Sequence, residues 1–198
     1  MRGGRDAAVM AKKAAKKAAK NTPKTPTDSA LPAVGEMAPD FTLPAVRPEA
    51  VTDPKTVPET QPVTLSEYRG ANPVVLYFYP RDATPGCTTE ACDFRDRLDD
   101  LGGAAVLGVS TDDAKSHGRF IAKHGLTFPL LVDADHAVCE RYGVWVEKSM
   151  YGRTSYGVQR ATVLIDTEGR VAAVWPKVRV PGHVEAVRDA LAGLASDQ

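Results

Sequence analysis

The run Pro73-Val-Val-Leu-Tyr-Phe-Tyr-Pro-Arg-Asp-Ala-Thr-Pro-Gly-Cys-Thr-Thr-Glu-Ala-Cys92 decides the fold. Its first part, Pro73 to Tyr79, is almost wholly apolar and rich in β-branched and aromatic residues. That pattern belongs to a central strand buried on both faces. Thr84 and Pro85 then read as an N-cap followed by proline at the first helical position. A helix is predicted from Cys87 to Leu101, with Phe94, Leu98 and Leu101 spaced by four and three. Open α/β sheets place their ligands at such a junction, beyond the carboxyl end of a strand. Cys87 falls in the first helical turn, beside unpaired backbone N–H groups and the positive end of the helix dipole. That environment stabilises a thiolate and makes the sulfur nucleophilic. Cys92 follows five residues later, a spacing that is neither a Cys-x-x-Cys reductant nor a paired zinc-ligand pattern.

Outward from this run, strands and helices alternate. The folded body is expected to start near Val34, with a short strand at Asp40–Leu43 and a proline-rich exposed loop from Pro44 to Pro62. Strands are predicted at Ala104–Ser110 and Phe128–Val132, and helices at Ala114–His124, His136–Tyr142 and Val184–Leu194. Gly125 and Gly143 close two of these helices. Ala161–Asp166 and Val171–Trp175 form a hairpin around Thr167-Glu-Gly-Arg170. The order is that of an α/β sandwich.

The whole chain of 198 residues suits one domain, and its 43% apolar content suits a packed core rather than a fibre or a disordered chain. Three cysteines do not make a disulfide-stapled scaffold. There is no run of 18 apolar residues, and the N-terminus lacks the apolar region of a secretory signal, so the expected compartment is the reducing cytoplasm, with no membrane partner.

The net charge of zero hides an asymmetry. Residues 1–30 hold eight of the 25 basic side chains and two of the 25 acidic ones. Residues 1–33 are therefore read as a basic, low-complexity, disordered arm and linker, and residues 34–198 as an acidic folded domain. On a helix, Lys12, Lys13, Lys16, Lys17 and Lys20 would share an arc of roughly 140°. Such a stripe is either a solvated tail that raises solubility or a non-specific contact for nucleic-acid phosphates. A transit peptide is disfavoured, since the arm uses Lys rather than Arg and almost no Ser.

Pro80-x-x-x-Thr84-x-x-Cys87 resembles the active-site motif of peroxiredoxins, and Tyr79-Pro-x-x-x-Thr-Pro-Gly-Cys-Thr-x-Glu-Ala-Cys92 is similar to the bacterioferritin comigratory protein/PrxQ subfamily. The likeness continues through Gly35–Leu43, Val63–Gly70 and Tyr151–Asp166 and covers essentially all of residues 34–195. The resemblance implies a thioredoxin fold with a central mixed sheet and a thiol-dependent peroxidase acting on hydrogen peroxide and organic hydroperoxides. It makes Cys87 the peroxidatic cysteine, oxidised to a sulfenic acid, and Cys92 the resolving thiol of an intramolecular disulfide. Thr84 and the first-turn N–H groups would hold the peroxide, Pro80 would shield the thiolate, and Arg160 would stabilise it and the departing oxygen. Thioredoxin or a similar dithiol would return the electrons, and the protein would act as a monomer. No metal, haem, flavin or other cofactor is implied.

Other residues have plainer readings beside the functional ones. Arg160 alone could be a surface salt bridge, Cys92 a buried inert cysteine, and Glu90 a helix-start carboxylate as readily as a partner that orients Arg160. Cys139 reads as a small buried hydrophobe. His117, His124, His136 and His183 have no metal-ligand spacing and are expected at the surface or at caps. Two rival functions remain: a nucleic-acid-associated protein working through its arm, and a thiol–disulfide oxidoreductase without peroxidase activity.

Overall fold

A computed structural model describes residues 31–150 and 153–196. Residues 1–30, with the Lys12, Lys13, Lys16, Lys17 and Lys20 stripe, the Tyr151-Gly152 pair and residues 197–198 lie outside the described residues. Seven strands organise the rest: β1 (Thr42–Val46), β2 (Gln61–Thr64), β3 (Val74–Phe78), β4 (Ala105–Ser110), β5 (Leu130–Val132), β8 (Ala161–Ile165) and β9 (Val171–Trp175). They form one sheet in the order β2-β1-β5-β4-β3-β8-β9. A separate hairpin is made of β6 (Trp145–Met150) and β7 (Arg153–Val158). The helices are α1 (Pro85–Asp96), α2 (Ala114–His124), α3 (Ala137–Arg141) and α4 (His183–Ser196).

Strand β3 is central for the reason its sequence suggests: all five of its residues are buried. Alternation along the strand divides them between two cores. Val74, Leu76 and Phe78 enter one cluster with Phe41, Tyr142 and Val163. Val75 and Tyr77 enter the other, with Cys87, Ala91 and Phe94 of α1, Phe120 of α2 and Val187 of α4. Helices α1, α2 and α4 thus cover one face of the sheet, and α3 with the N-terminal segment covers the other. Burying a side chain such as Phe94 contributes about 1.5–3 kcal/mol.

β3 runs parallel to β4 and antiparallel to β8, with Phe78 opposite Val109 on one side and Ala161 on the other. The antiparallel pairing has a direct geometric consequence. It sets the first residue of β8, and the residue before it, at the carboxyl end of β3, where α1 begins. The mixed central sheet flanked by helices is a thioredoxin fold.

Several expectations need correction. The Pro44–Pro62 segment is not wholly a loop. β1 begins at Thr42 rather than Asp40 and runs to Val46, and β2 returns antiparallel with Leu43 opposite Val63 and Pro44 opposite Pro62. Pro62 is tolerated because β2 is an edge strand, and Pro44 precedes the Ala45–Val46 stretch of β1 that pairs with β5 on its other side. The first helix ends at Asp96, and a 3-10 turn at Leu98–Leu101 carries Leu101 into the core. Strand β5 starts at Leu130, two residues later than its hydropathy suggests. The β6–β7 hairpin has no counterpart among the predicted elements. Finally, His117 and His183 are buried rather than superficial. Among the described residues no helix is long and apolar enough to cross a membrane.

Candidate active site

Thr84 is the N-cap of α1 by its backbone, extended at φ −80° and ψ 150°, and Pro85 opens the first turn. Its side chain makes no capping bond, however, and the hydroxyl donates instead to the Arg81 carbonyl at 3.1 Å. The first-turn N–H groups therefore lack the side-chain acceptor that usually satisfies them, and remain available to a ligand oxygen. Pro80, half-buried, leads the chain out of β3 toward this turn.

Cys87 points into the core beneath the turn and is only 1% exposed. Cys92, on the same helix, is half-buried, and both thiols are free, as is that of Cys139. Cys139 is fully buried on α3, where burial, with the Asp133 charge, pushes its thiol far above the ordinary range. The inert reading of that cysteine suits this environment.

Arg160 reaches the site because it immediately precedes β8. Its Nη2 donates to the Cys87 Sγ at 3.2 Å, and its Nη1 pairs with the Glu90 Oε2. Gly86 makes the approach possible, since a Cβ there would lie 3.3 Å from Nη2. Burial works against the guanidinium's charge, but Glu90 and Cys87 together hold its pKa above the usual arginine value. Glu90 is fully buried, and burial, partly offset by Arg160, pushes its carboxyl up to about 7. Of its two readings at the sequence level, the partner of Arg160 is the one the geometry realises. A thiol, a guanidinium and a carboxylate thus converge from residues 87, 90 and 160 at one end of the sheet.

Three supports are invisible in the motif. Asp82, in the loop before α1, accepts from the Tyr79 hydroxyl at 2.8 Å and lies 2.9 Å from His117 Nδ1 on α2. Its own N–H donates to Asp112 at 2.9 Å. Ala83, next in the chain, holds φ at +56°, a conformation sparse for residues other than glycine. The third support is the β6–β7 hairpin, which feeds the chain into Arg160. Asp82 could have been suspected from its place between Pro80 and Thr84, but its partner on α2 carries no sequence signal. Among the described residues no group of three or more His, Cys, Asp or Glu side chains could hold a metal ion.

A thioredoxin-fold cysteine in a helical first turn, held against a half-buried arginine, defines a thiol peroxidase. Comparison with known proteins places it further: the AhpC/TSA family model matches residues 34–174. The chain belongs to this family, and within it to the peroxiredoxins of the Bcp/PrxQ type. It is 49% identical over 156 residues to a putative peroxiredoxin Bcp of Coxiella burnetii, covering 78% of this chain and 95% of that one. It is 44% identical over 153 residues to peroxiredoxin Bcp of Bacillus subtilis, covering 76% and 89%. Among solved structures, a cysteine-to-serine variant of PrxQ from Xylella fastidiosa superposes with a TM-score of 0.73 at 36% identity, covering 84% of this chain and 99% of that one.

Proposed function

We propose that the protein reduces hydrogen peroxide and organic hydroperoxides with Cys87 as the attacking thiolate and Cys92 as the resolving thiol. The observation that carries this reading is the 3.2 Å contact between Arg160 Nη2 and Cys87 Sγ at the mouth of α1. A solved relative, the bacterioferritin comigratory protein of Xanthomonas campestris, is described as having alkyl peroxide reduction activity, which supports the wider substrate class.

In the first step the Cys87 sulfur donates an electron pair to the terminal oxygen of R–O–O–H. The S–O bond forms, the O–O bond breaks, and the departing RO⁻ takes a proton from solvent to leave as ROH. Arg160 faces the charge as it passes from sulfur to oxygen, the place where fixed donors act most strongly. The first-turn N–H groups and the Thr84 hydroxyl orient the peroxide, and Pro80 limits water access. In the second step the Cys92 sulfur attacks the Cys87 sulfenic acid, releasing water and forming a disulfide. A dithiol such as thioredoxin then reduces that disulfide by exchange, being oxidised itself. Both thiols of this scheme lie on α1, so the cycle asks for no second subunit, and the reading is of a monomer acting in the reducing cytoplasm.

The test is peroxide consumption by the purified protein with a dithiol reductant, with and without thioredoxin. Cys87→Ser should abolish turnover, because an alcohol is far less acidic and less nucleophilic than a thiol. Near-normal turnover in that variant would end the reading. Disulfide exchange without peroxide consumption would favour the oxidoreductase alternative.

A further inference from the structure

Lys148 stands on β6 opposite Ser155 of β7, half-buried where most lysines are free in water. Its ammonium donates to the Val158 carbonyl at 2.7 Å, and its side chain lies over Gly157, where a Cβ would sit 3.6 Å from Nζ. From Val158 the chain runs two residues to Arg160. The hairpin therefore carries a second cation to the sheet end where Cys87 and Glu90 arrive on α1.

Charge counting gives that cation a purpose. Whenever Glu90, its carboxyl pushed up to about 7, is ionised together with Cys87, Arg160 alone leaves the cluster one positive charge short, and a buried anion without a partner costs several kcal/mol. The groups acting on Lys148 agree with this placement. Burial and the Arg160 charge pull its pKa below the lysine range, and the Cys87 charge pushes it back up. Glu90 pairs with Arg160 rather than with Lys148, and no ion pair of Lys148 is formed among the described residues. The other titratable groups around the cluster are Asp93 on α1, whose charge raises Glu90, Tyr77 on β3, which the Cys87 charge raises, and His183 on α4, which the Arg160 charge lowers.

We infer that Lys148 is a positioning residue of the peroxide site, a second cation whose field stabilises the Cys87 thiolate and the oxygen that leaves it. The inference rests on Cys87 being the attacking thiol. It adds no reactant to the peroxide chemistry: the same S–O bond forms and the same O–O bond breaks, with more positive potential around both.

Lys148→Gln and Lys148→Arg, made in the full chain, test it by single-turnover oxidation with hydrogen peroxide across pH. The Gln variant should react about tenfold more slowly near neutral pH, and its half-maximal reactivity should move upward by roughly one pH unit. The Arg variant should recover the original profile. Alkylation of Cys87 by the uncharged reagent iodoacetamide should show the same upward displacement, and melting curves report whether the hairpin still folds. An unchanged rate and profile in the Gln variant would overturn the inference, as would a profile that fails to recover with Arg in a fully folded protein. Cys87→Ser separates the two claims. If that variant still consumes peroxide, the peroxidatic assignment itself falls; if it is inactive while Lys148→Gln behaves as wild type, only the role of Lys148 falls.

Discussion

The imidazole of His117 meets the carboxylate of Asp82 at 2.9 Å, in a region where neither side chain touches solvent appreciably. His117 Nε2 lies 3.2 Å from the Leu131 carbonyl, which can only accept, so that nitrogen carries a proton. Nδ1 then faces Asp82, which also accepts from Tyr79. Removing the imidazole leaves a buried carboxylate with a single hydroxyl partner. His117→Leu is therefore expected to cost about 3–5 kcal/mol of stability, measurable as a fall in the urea midpoint. Tyr79→Phe, which removes one hydrogen bond to the same carboxylate, should cost about 1.5–3 kcal/mol.

Arg160→Ala should slow the peroxide step by about a hundredfold or more while the protein stays folded. Arg160→Lys should recover only part of that loss, because a point charge cannot serve Glu90 and Cys87 as two arms of one fork. Stopped-flow oxidation of the reduced protein gives the rates. Gly86→Ala probes the same contact from the other side, since its methyl group would press on Nη2. A smaller decrease in rate is expected there, with little change in melting temperature.

His183 provides a dependence of stability on pH. It is buried at the start of α4, with Nε2 2.8 Å from the Thr162 hydroxyl and its ring edge-on to Phe94 and Trp175. Burial, assisted by Arg160, lowers its pKa from 6.5 to about 4. The folded protein thus refuses a proton that the unfolded chain accepts. Its contribution is complete above about pH 6.5 and is lost as pH falls toward 4. Urea unfolding between these limits should show stability declining with acid, and His183→Gln should flatten that part of the curve.

Both Cys87 and Cys92 lie inside α1. Five helical residues separate their Cα atoms by about 8.6 Å. A disulfide spans at most about 7 Å, so the two cannot join while the helix stays wound. Oxidation should therefore unwind the first turns. Peptide mapping after peroxide treatment should find the 87–92 bond with Cys139 still reduced, and amide exchange across Thr84–Arg95 should accelerate. A Cys87–Cys139 bond, or an oxidised helix that stays protected, would remove Cys92 from its role.

Deleting residues 1–30 should leave peroxidase kinetics unchanged, because every group placed at the site lies beyond them. If the arm contacts DNA, gel retardation by the full chain should be independent of sequence, weaken steeply with salt and vanish on deletion. No retardation at low salt would make the arm a solvated tail.

What is legible in the sequence is local. The β3 run, the N-cap and proline ahead of Cys87, and the glycine after His124 each carry their instruction within a few residues. Arg160 emerges only through resemblance, since its neighbours do not say that β8 will lie beside β3. His117 is hidden for a similar reason: its partner is 35 residues away on a loop, and a histidine on an amphipathic helix has no mark that it faces inward. The β6–β7 hairpin escapes because Trp145-Val-Glu-Lys-Ser-Met150 mixes charge with apolar residues and pairs outside the main sheet, where core burial imposes no clear alternation. β2 escapes because its proline argues against a strand everywhere except at an edge.

The antiparallel pairing of β3 with β8 also orders events in time. A growing chain that has exposed residues 31–130 already contains Cys87 and the whole of α1, but Arg160 has not yet been made. Until β8 docks, the thiol has the backbone dipoles of α1 around it but not the Arg160 guanidinium. On the function proposed above, the peroxide site is thus completed only by the closing contact of the sheet, between residues 73 apart in the chain.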